Sequence, residues 1–232
     1  MSKQDTDSGL EFLESPEGLA GELGKVEKTI AKNSNVLMIA GVAIVVLLGG
    51  WFGYQWYVSS QDEEAQAALF APIFAAESDS LNKAIKGTAG NPGLLGVADE
   101  FGGTAAANVA HFVAGSVFMK QGKFDEAIEQ LKSFSAPDLL VQARAYALLG
   151  DAYMEKNDAE EAIGYYEKAV GHKPNKDFTP IYLMKLAVAQ EKAKKTKEAI
   201  ETYNKVIETY PQAPEVVNAK KYKGALESAM GE

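Results

Sequence analysis

Leu149-Gly150-Asp151-Ala152-Tyr153-Met154, followed by Glu160-Glu161-Ala162-Ile163-Gly164-Tyr165-Tyr166 and Ala169, decides the fold, because its small and aromatic positions recur on both sides. A shift of 35 residues places Gly115-x-x-Phe118, Ala127 and Leu131 onto Gly150-x-x-Tyr153, Ala162 and Tyr166. A shift of 37 in the other direction brings Ala187, Ala199, Tyr203, Val206 and Pro211 onto Gly150, Ala162, Tyr166, Ala169 and Pro174. Self-similarity at a period of thirty-odd residues is the signature of stacked helical hairpins. Composition agrees: strand alternation is missing, and the segment is dense in Ala, Leu, Lys, Glu and Gln, which favour helix. Gly115, Gly150 and Ala187 each lie twelve residues before Ala127, Ala162 and Ala199, a spacing that predicts two small side chains where antiparallel helices cross.

These residues resemble the tetratricopeptide pattern, which implies an all-α, right-handed α-solenoid with three repeats over 105–213, and an N-terminal transmembrane helix is read from a separate apolar segment ahead of it. Each second helix opens on charged helix formers, Asp125-Glu126-Ala127, Glu160-Glu161-Ala162 and Lys197-Glu198-Ala199, and acids near an N-terminus suit the helix dipole. Pro174 and Pro211 close their units, Thr104 reads as the cap of the first repeat, and Thr179-Pro180 as a later helix start. Pro214-Glu215 opens a final capping helix within 214–232, which covers the apolar end of the stack. Ahead of the repeats, 59–104 reads as a helical extension: one helix from Asp62 to Lys86, a loop from Gly87 to Gly93, and a short helix from Leu94 to Phe101.

Farther toward the N-terminus, no charged residue occurs from Asn33 to Gln61. Val36 to Gly53 is purely apolar and would be ~27 Å long as a helix, close to the hydrocarbon thickness of a bilayer. The reading is a signal anchor at 34–58, with Trp51, Tyr54, Trp56 and Tyr57 as an interfacial belt. A cleaved signal peptide has a shorter apolar region and a shorter polar lead. Lys25, Lys28 and Lys32 precede the span, whereas 59–82 holds no Lys or Arg. The N-terminus is therefore expected in the cytoplasm and the C-terminal domain outside it. Gly49 and Gly53, with Gly41 two turns earlier, form a small-residue face suited to packing against another membrane helix. Residues 1–15 read as a disordered acidic tail and 16–33 as an amphipathic helix carrying Leu19, Leu23, Val26 and Ile30.

Charge and composition exclude several function classes. The net charge of −9 repels a phosphate backbone, so nucleic acid is not an expected partner. Without cysteine there is no disulfide and no thiolate chemistry. His111 and His172 are the only histidines, and neither has a companion at metal-ligand spacing. Gly102-Gly103-Thr104 lacks the lysine of a phosphate loop. Thus no catalytic residue, metal, cofactor or small-molecule substrate is expected, and the chain reads as a protein-binding scaffold rather than an enzyme.

The layout as a whole is similar to the bacterial YfgM-like family of ancillary SecYEG translocon subunits, with Leu81-Asn82-Lys83-Ala84 and Glu100-Phe101-Gly102-Gly103-Thr104 preceding the first repeat. That resemblance implies an inner-membrane protein with a periplasmic repeat domain, and as partners the translocon subunits, a periplasmic prolyl isomerase or chaperone, and secreted client polypeptides. The alternative is a structural scaffold coordinating wall or outer-membrane assembly. In tetratricopeptide arrays the first helices line a groove. Counting from Gly115, Gly150 and Ala187 assigns to it Val109, Phe112, Ser116 and Met119; Arg144, Ala147, Asp151 and Met154; and Ile181, Met184, Val188 and Glu191. Three methionines suit a surface that adapts to varied extended chains, unless the Asp62–Lys86 helix fills it. Members that clamp a C-terminal carboxylate use Lys and Asn where this chain has Phe112 and Ser116.

Overall fold

A computed structural model describes residues 33–231. The tail at 1–15 and nearly all of the 16–33 helix lie outside the described residues. The chain divides into two compact units, one ending at Tyr57 and the other beginning at Val58. In the first, helix α1 (Ser34–Glu77, its C-terminal part belonging to the second unit) is the one helix among the described residues long and apolar enough to cross a membrane. Its apolar side chains from Val36 to Phe52 stand exposed, as do Trp51, Tyr54, Trp56 and Tyr57. Nothing lies near a side chain placed at Gly41, Gly49 or Gly53.

In the second unit the expected single helix from Asp62 to Lys86 is two helices. The end of α1 stops at Ser78-Asp79-Ser80, and α2 (Leu81–Lys86) follows. Asp79 takes a left-handed φ of 56°, and the Ser80 N–H bonds the Ala75 carbonyl at 2.8 Å, the six-to-one bond that closes a helix over a left-handed residue. Ser78 adds a hydroxyl bond to the Phe74 carbonyl at 2.7 Å. Two serines flanking an aspartate compete locally for the backbone, although apolar spacing resumes at Leu81 and Ile85.

The expected loop from Gly87 to Gly93 contains a two-residue antiparallel ribbon, β1 (Gly87–Thr88) against β2 (Asn91–Pro92). Strands this short carry no alternation. Their signal is glycine: Gly87 and Gly90 have φ of 75° and 84°, and a Cβ on Gly93 would stand 2.2 Å from the Ile85 carbonyl oxygen. Helix α3 (Leu94–Glu100) completes this extension. Ala65, Leu69 and Ala76 of α1 share a core with Ile85, Leu94, Val97, Phe101 and the first helix of the repeats. The Asp62 carboxylate also accepts the Ala106 N–H at 3.0 Å.

Six helices then form three hairpins: α4 (Ala105–Lys120) with α5 (Phe124–Ser133), α6 (Val141–Glu155) with α7 (Ala159–Gly171), and α8 (Thr179–Lys192) with α9 (Thr196–Thr209). Thr104 caps α4 by accepting the Ala107 N–H at 3.0 Å, and Asp158 caps α7 by accepting that of Glu161 at 3.2 Å. Within each hairpin the same turn recurs. Gly122, Asn157 and Lys194 are left-handed, with φ of 70°, 60° and 62°. The next N–H reaches back five residues: Lys123 to Phe118, Asp158 to Tyr153 and Lys195 to Gln190, at 3.0, 2.9 and 2.8 Å. This threefold motif is the backbone counterpart of the sequence period.

Packing refines the expected helix crossing. A Cβ on Gly115 would meet the Leu131 side chain at 2.5 Å, and one on Gly150 would meet the Tyr166 ring at the same distance. The glycines therefore make room for the large residue sixteen positions later, more than for the alanine at twelve. Tyr203, the third-repeat equivalent, is fully buried with Leu183, Ala187, Val206 and Ala219. Fully burying side chains of this kind contributes roughly 1.5–3 kcal/mol apiece. Ala219 comes from α10 (Val216–Met230), which closes the stack. All-α architecture with a solenoid of tetratricopeptide type is thus what the chain adopts, the small ribbon aside.

Candidate groove

The first helices α4, α6 and α8 place their apolar stripes on one face, because residues three and four apart along a helix share a side. Two adjoining depressions result. One, of about 520 Å³, is lined by Met119, Asp151, Met154, Glu155, Tyr166, Met184, Lys185 and Val188. The other, of about 460 Å³, is lined by Leu140, Val141, Arg144, Ala147, Leu148, Asp151, Phe178, Ile181, Tyr182 and Lys185. No residue of α1 or α2 lines either depression, so the segment from Asp62 to Lys86 leaves both open and packs instead against the start of the repeats.

Asp151 and Lys185 stand where the two depressions meet. The Lys185 ammonium donates to both carboxylate oxygens of Asp151, at 2.7 and 2.9 Å, and the Tyr166 hydroxyl donates to one of them at 2.7 Å. Burial first, and then the negative Asp151, push the Tyr166 phenol well above its ordinary range, so it stays a donor. An acid facing a groove from α6 is thereby neutralised by a cation from α8.

Eight of the twelve residues expected to face the groove line the depressions: Met119, Met154, Met184, Val188 and Asp151 in the first, and Arg144, Ala147, Ile181 and again Asp151 in the second. Four are placed otherwise. Val109 is exposed toward the start of α4. Phe112 packs on Phe134 with ring centres 5.1 Å apart, and the Ser116 hydroxyl turns back to the Phe112 carbonyl at 2.9 Å. Glu191 accepts the Tyr203 hydroxyl at 2.5 Å. Counting by repeat position missed Lys185, Tyr182 and Phe178. The available signal for Lys185 was a lone cation in the apolar run Tyr182-Leu183-Met184-Lys185-Leu186, on the helix following Asp151.

Both histidines hold structural bonds. His111 Nδ1 lies 2.8 Å from the Gln130 side-chain oxygen. His172 Nε2 donates to the Asp138 carbonyl at 2.7 Å and ties the linker before α6 to the end of α7. Among the described residues no three His, Asp or Glu side chains converge as a metal site.

Comparison with known proteins supports the repeat reading. Tetratricopeptide repeat models match residues 112–177 and 182–213, and a tetratricopeptide repeat-like domain model matches 30–138. No curated protein matches the sequence. Among solved structures, the crystal structure of MamA protein is similar, with a TM-score of 0.56 and 21% identity over 73% of this chain and 84% of that one. A Podosopora anserina putative kinesin light chain with nearly identical TPR-like repeats gives a TM-score of 0.54 and 16% identity over 75% and 87%. These neighbours share the fold, and tetratricopeptide repeats imply a scaffold for protein–protein interaction.

Proposed function

We propose that this chain is a membrane-anchored scaffold whose groove receives extended stretches of other polypeptides. The observation that carries the reading is the convergence of Met119, Met154 and Met184, one from each repeat, around a single depression of about 520 Å³. Thioether side chains repack at little cost, so one lining accommodates many sequences. The task is binding and handover, not catalysis. The apolar part of α1 spans the bilayer with Lys25, Lys28 and Lys32 on the cytoplasmic side, which puts the repeats in the periplasm. Trp51, Tyr54, Trp56 and Tyr57 form the interfacial belt, and the Gly41, Gly49 and Gly53 face packs on a partner's membrane helix.

The resemblance to ancillary SecYEG subunits assigns the partners: the channel at the anchor, secreted clients in the groove, and a periplasmic prolyl isomerase or chaperone downstream. Mild detergent extraction followed by affinity purification tests this. Enrichment of channel subunits supports it, whereas recovery of wall-synthesis enzymes without channel subunits places the scaffold in envelope assembly instead. Orientation has its own test, since a reporter fused after Glu232 and active only in the cytosol contradicts the topology.

A further inference from the structure

We propose that the second depression selects acidic segments: an Asp or Glu side chain next to a large apolar residue, within an extended polypeptide, is held by Arg144 and the Tyr182 hydroxyl. This rests on the groove reading above and adds the chemistry of the occupant.

Arg144 is the one arginine in 232 residues. It lines the depression from α6, its residue is exposed, and among the described residues it has no hydrogen-bond or ion-pair partner. Its neighbour in the lining, Lys185, is committed to Asp151 at 2.7 and 2.9 Å. The charged lining is therefore Arg144 and Lys185 against Asp151, two minus one, leaving +1 in a chain of net −9. Glu155 belongs to the adjoining depression, so the positive remainder is confined to this one, where it is complementary to an anion. The planar guanidinium offers paired donors that match a carboxylate, which a lysine does not.

A second donor stands beside it. The Tyr182 ring is buried in the wall, and its hydroxyl has no hydrogen-bond partner among the described residues. Burial raises the phenol above its usual value while the Arg144 charge acts in the opposite sense, so the two groups sense each other and the hydroxyl keeps its proton. Around these donors Leu140, Val141, Phe178 and Ile181 are 43, 37, 40 and 37% exposed. That is an unusual concentration of uncovered apolar side chains about one free cation, and it fits a carboxylate whose neighbour in sequence is large and apolar. The carboxylate is that of a side chain, because an extended polypeptide lying along the groove presents side-chain carboxylates throughout its length and a terminal one only at its end.

The test uses the full chain in detergent micelles and three labelled short peptides, titrated by fluorescence anisotropy. The first carries Leu-Asp-Leu at its centre and an amidated end, the second has Asn for Asp, and the third has Asn with a free C-terminal carboxylate. The acidic peptide is expected to bind about tenfold more tightly than either other, a gap that Arg144→Gln abolishes, Tyr182→Phe narrows and added salt shrinks. Persistence of the gap in Arg144→Gln overturns the proposal, as does equal affinity for the terminal carboxylate. Equal binding of the acidic and Asn peptides, weakened alike by Met184→Glu, refutes acid selection and leaves the groove standing. Failure of all three to bind refutes both.

Discussion

The ring of Tyr166 occupies the space that a side chain on Gly150 would need: a Cβ there would stand 2.5 Å from its Cε1 and 2.6 Å from its Cδ1. The second repeat closes through this contact, with the same tyrosine holding Asp151 by its hydroxyl. Two effects oppose each other when Gly150 becomes alanine. Helix propensity favours the change by about 1 kcal/mol, whereas overpacking costs about 1–3 kcal/mol and displaces a buried ring whose hydroxyl is tied to Asp151. Overpacking wins, so Gly150→Ala is expected to lower stability in chemical denaturation. Gly164, on the neighbouring helix α7, has nothing within 4 Å of its own virtual Cβ. There propensity acts alone, and Gly164→Ala is expected to raise stability by about 0.5–1 kcal/mol.

Lys194 holds the left-handed position that Gly122 and Asn157 fill in the other hairpins. A non-glycine residue there costs about 1–2 kcal/mol, and glycine's extra unfolded-state freedom returns about 0.5–1 of that. Lys194→Gly should therefore raise the unfolding free energy by up to about 1.5 kcal/mol, read as a higher denaturation midpoint. An unchanged or lowered midpoint would mean that the lysine side chain contributes something its turn does not explain.

The linker before α6 is organised by Asp138, whose carboxylate accepts the N–H groups of Leu140 at 2.7 Å and Val141 at 2.5 Å. Bonding to Val141 foremost holds its carboxyl below the ordinary value of 3.8. Because the folded-state value is the lower one, the stabilisation is complete above the unfolded-state value and is lost as pH falls through the folded-state value. Asp138→Ala should cost about 0.5–2 kcal/mol at neutral pH. Its deficit relative to the wild type should shrink toward zero on acidification, as followed by urea melts along a pH series.

What the sequence disclosed depended on periodicity. Gly115, Gly150 and Ala187 marked the repeats because small residues at a crossing are dictated by packing, and Met119, Met154 and Met184 followed from the same count. Lys194 concealed its turn, since nothing in a lysine announces a left-handed backbone. The break at Ser78-Asp79-Ser80 was hidden by apolar spacing that resumes on the same period in α2. Lys185 escaped because its role is set by Asp151 on another helix, a relation between elements that no single-helix pattern contains. The ribbon at Gly87–Pro92 was too short to alternate.

The central claim, that the methionine-lined face takes up extended polypeptide, is tested most directly by titrating the purified chain with a labelled, permanently unfolded polypeptide. Wild type and the Met119→Glu, Met184→Glu double variant are compared, and circular dichroism confirms equal helicity. Two carboxylates in the lining should lower affinity about tenfold or more. Undiminished binding by the double variant would contradict the account.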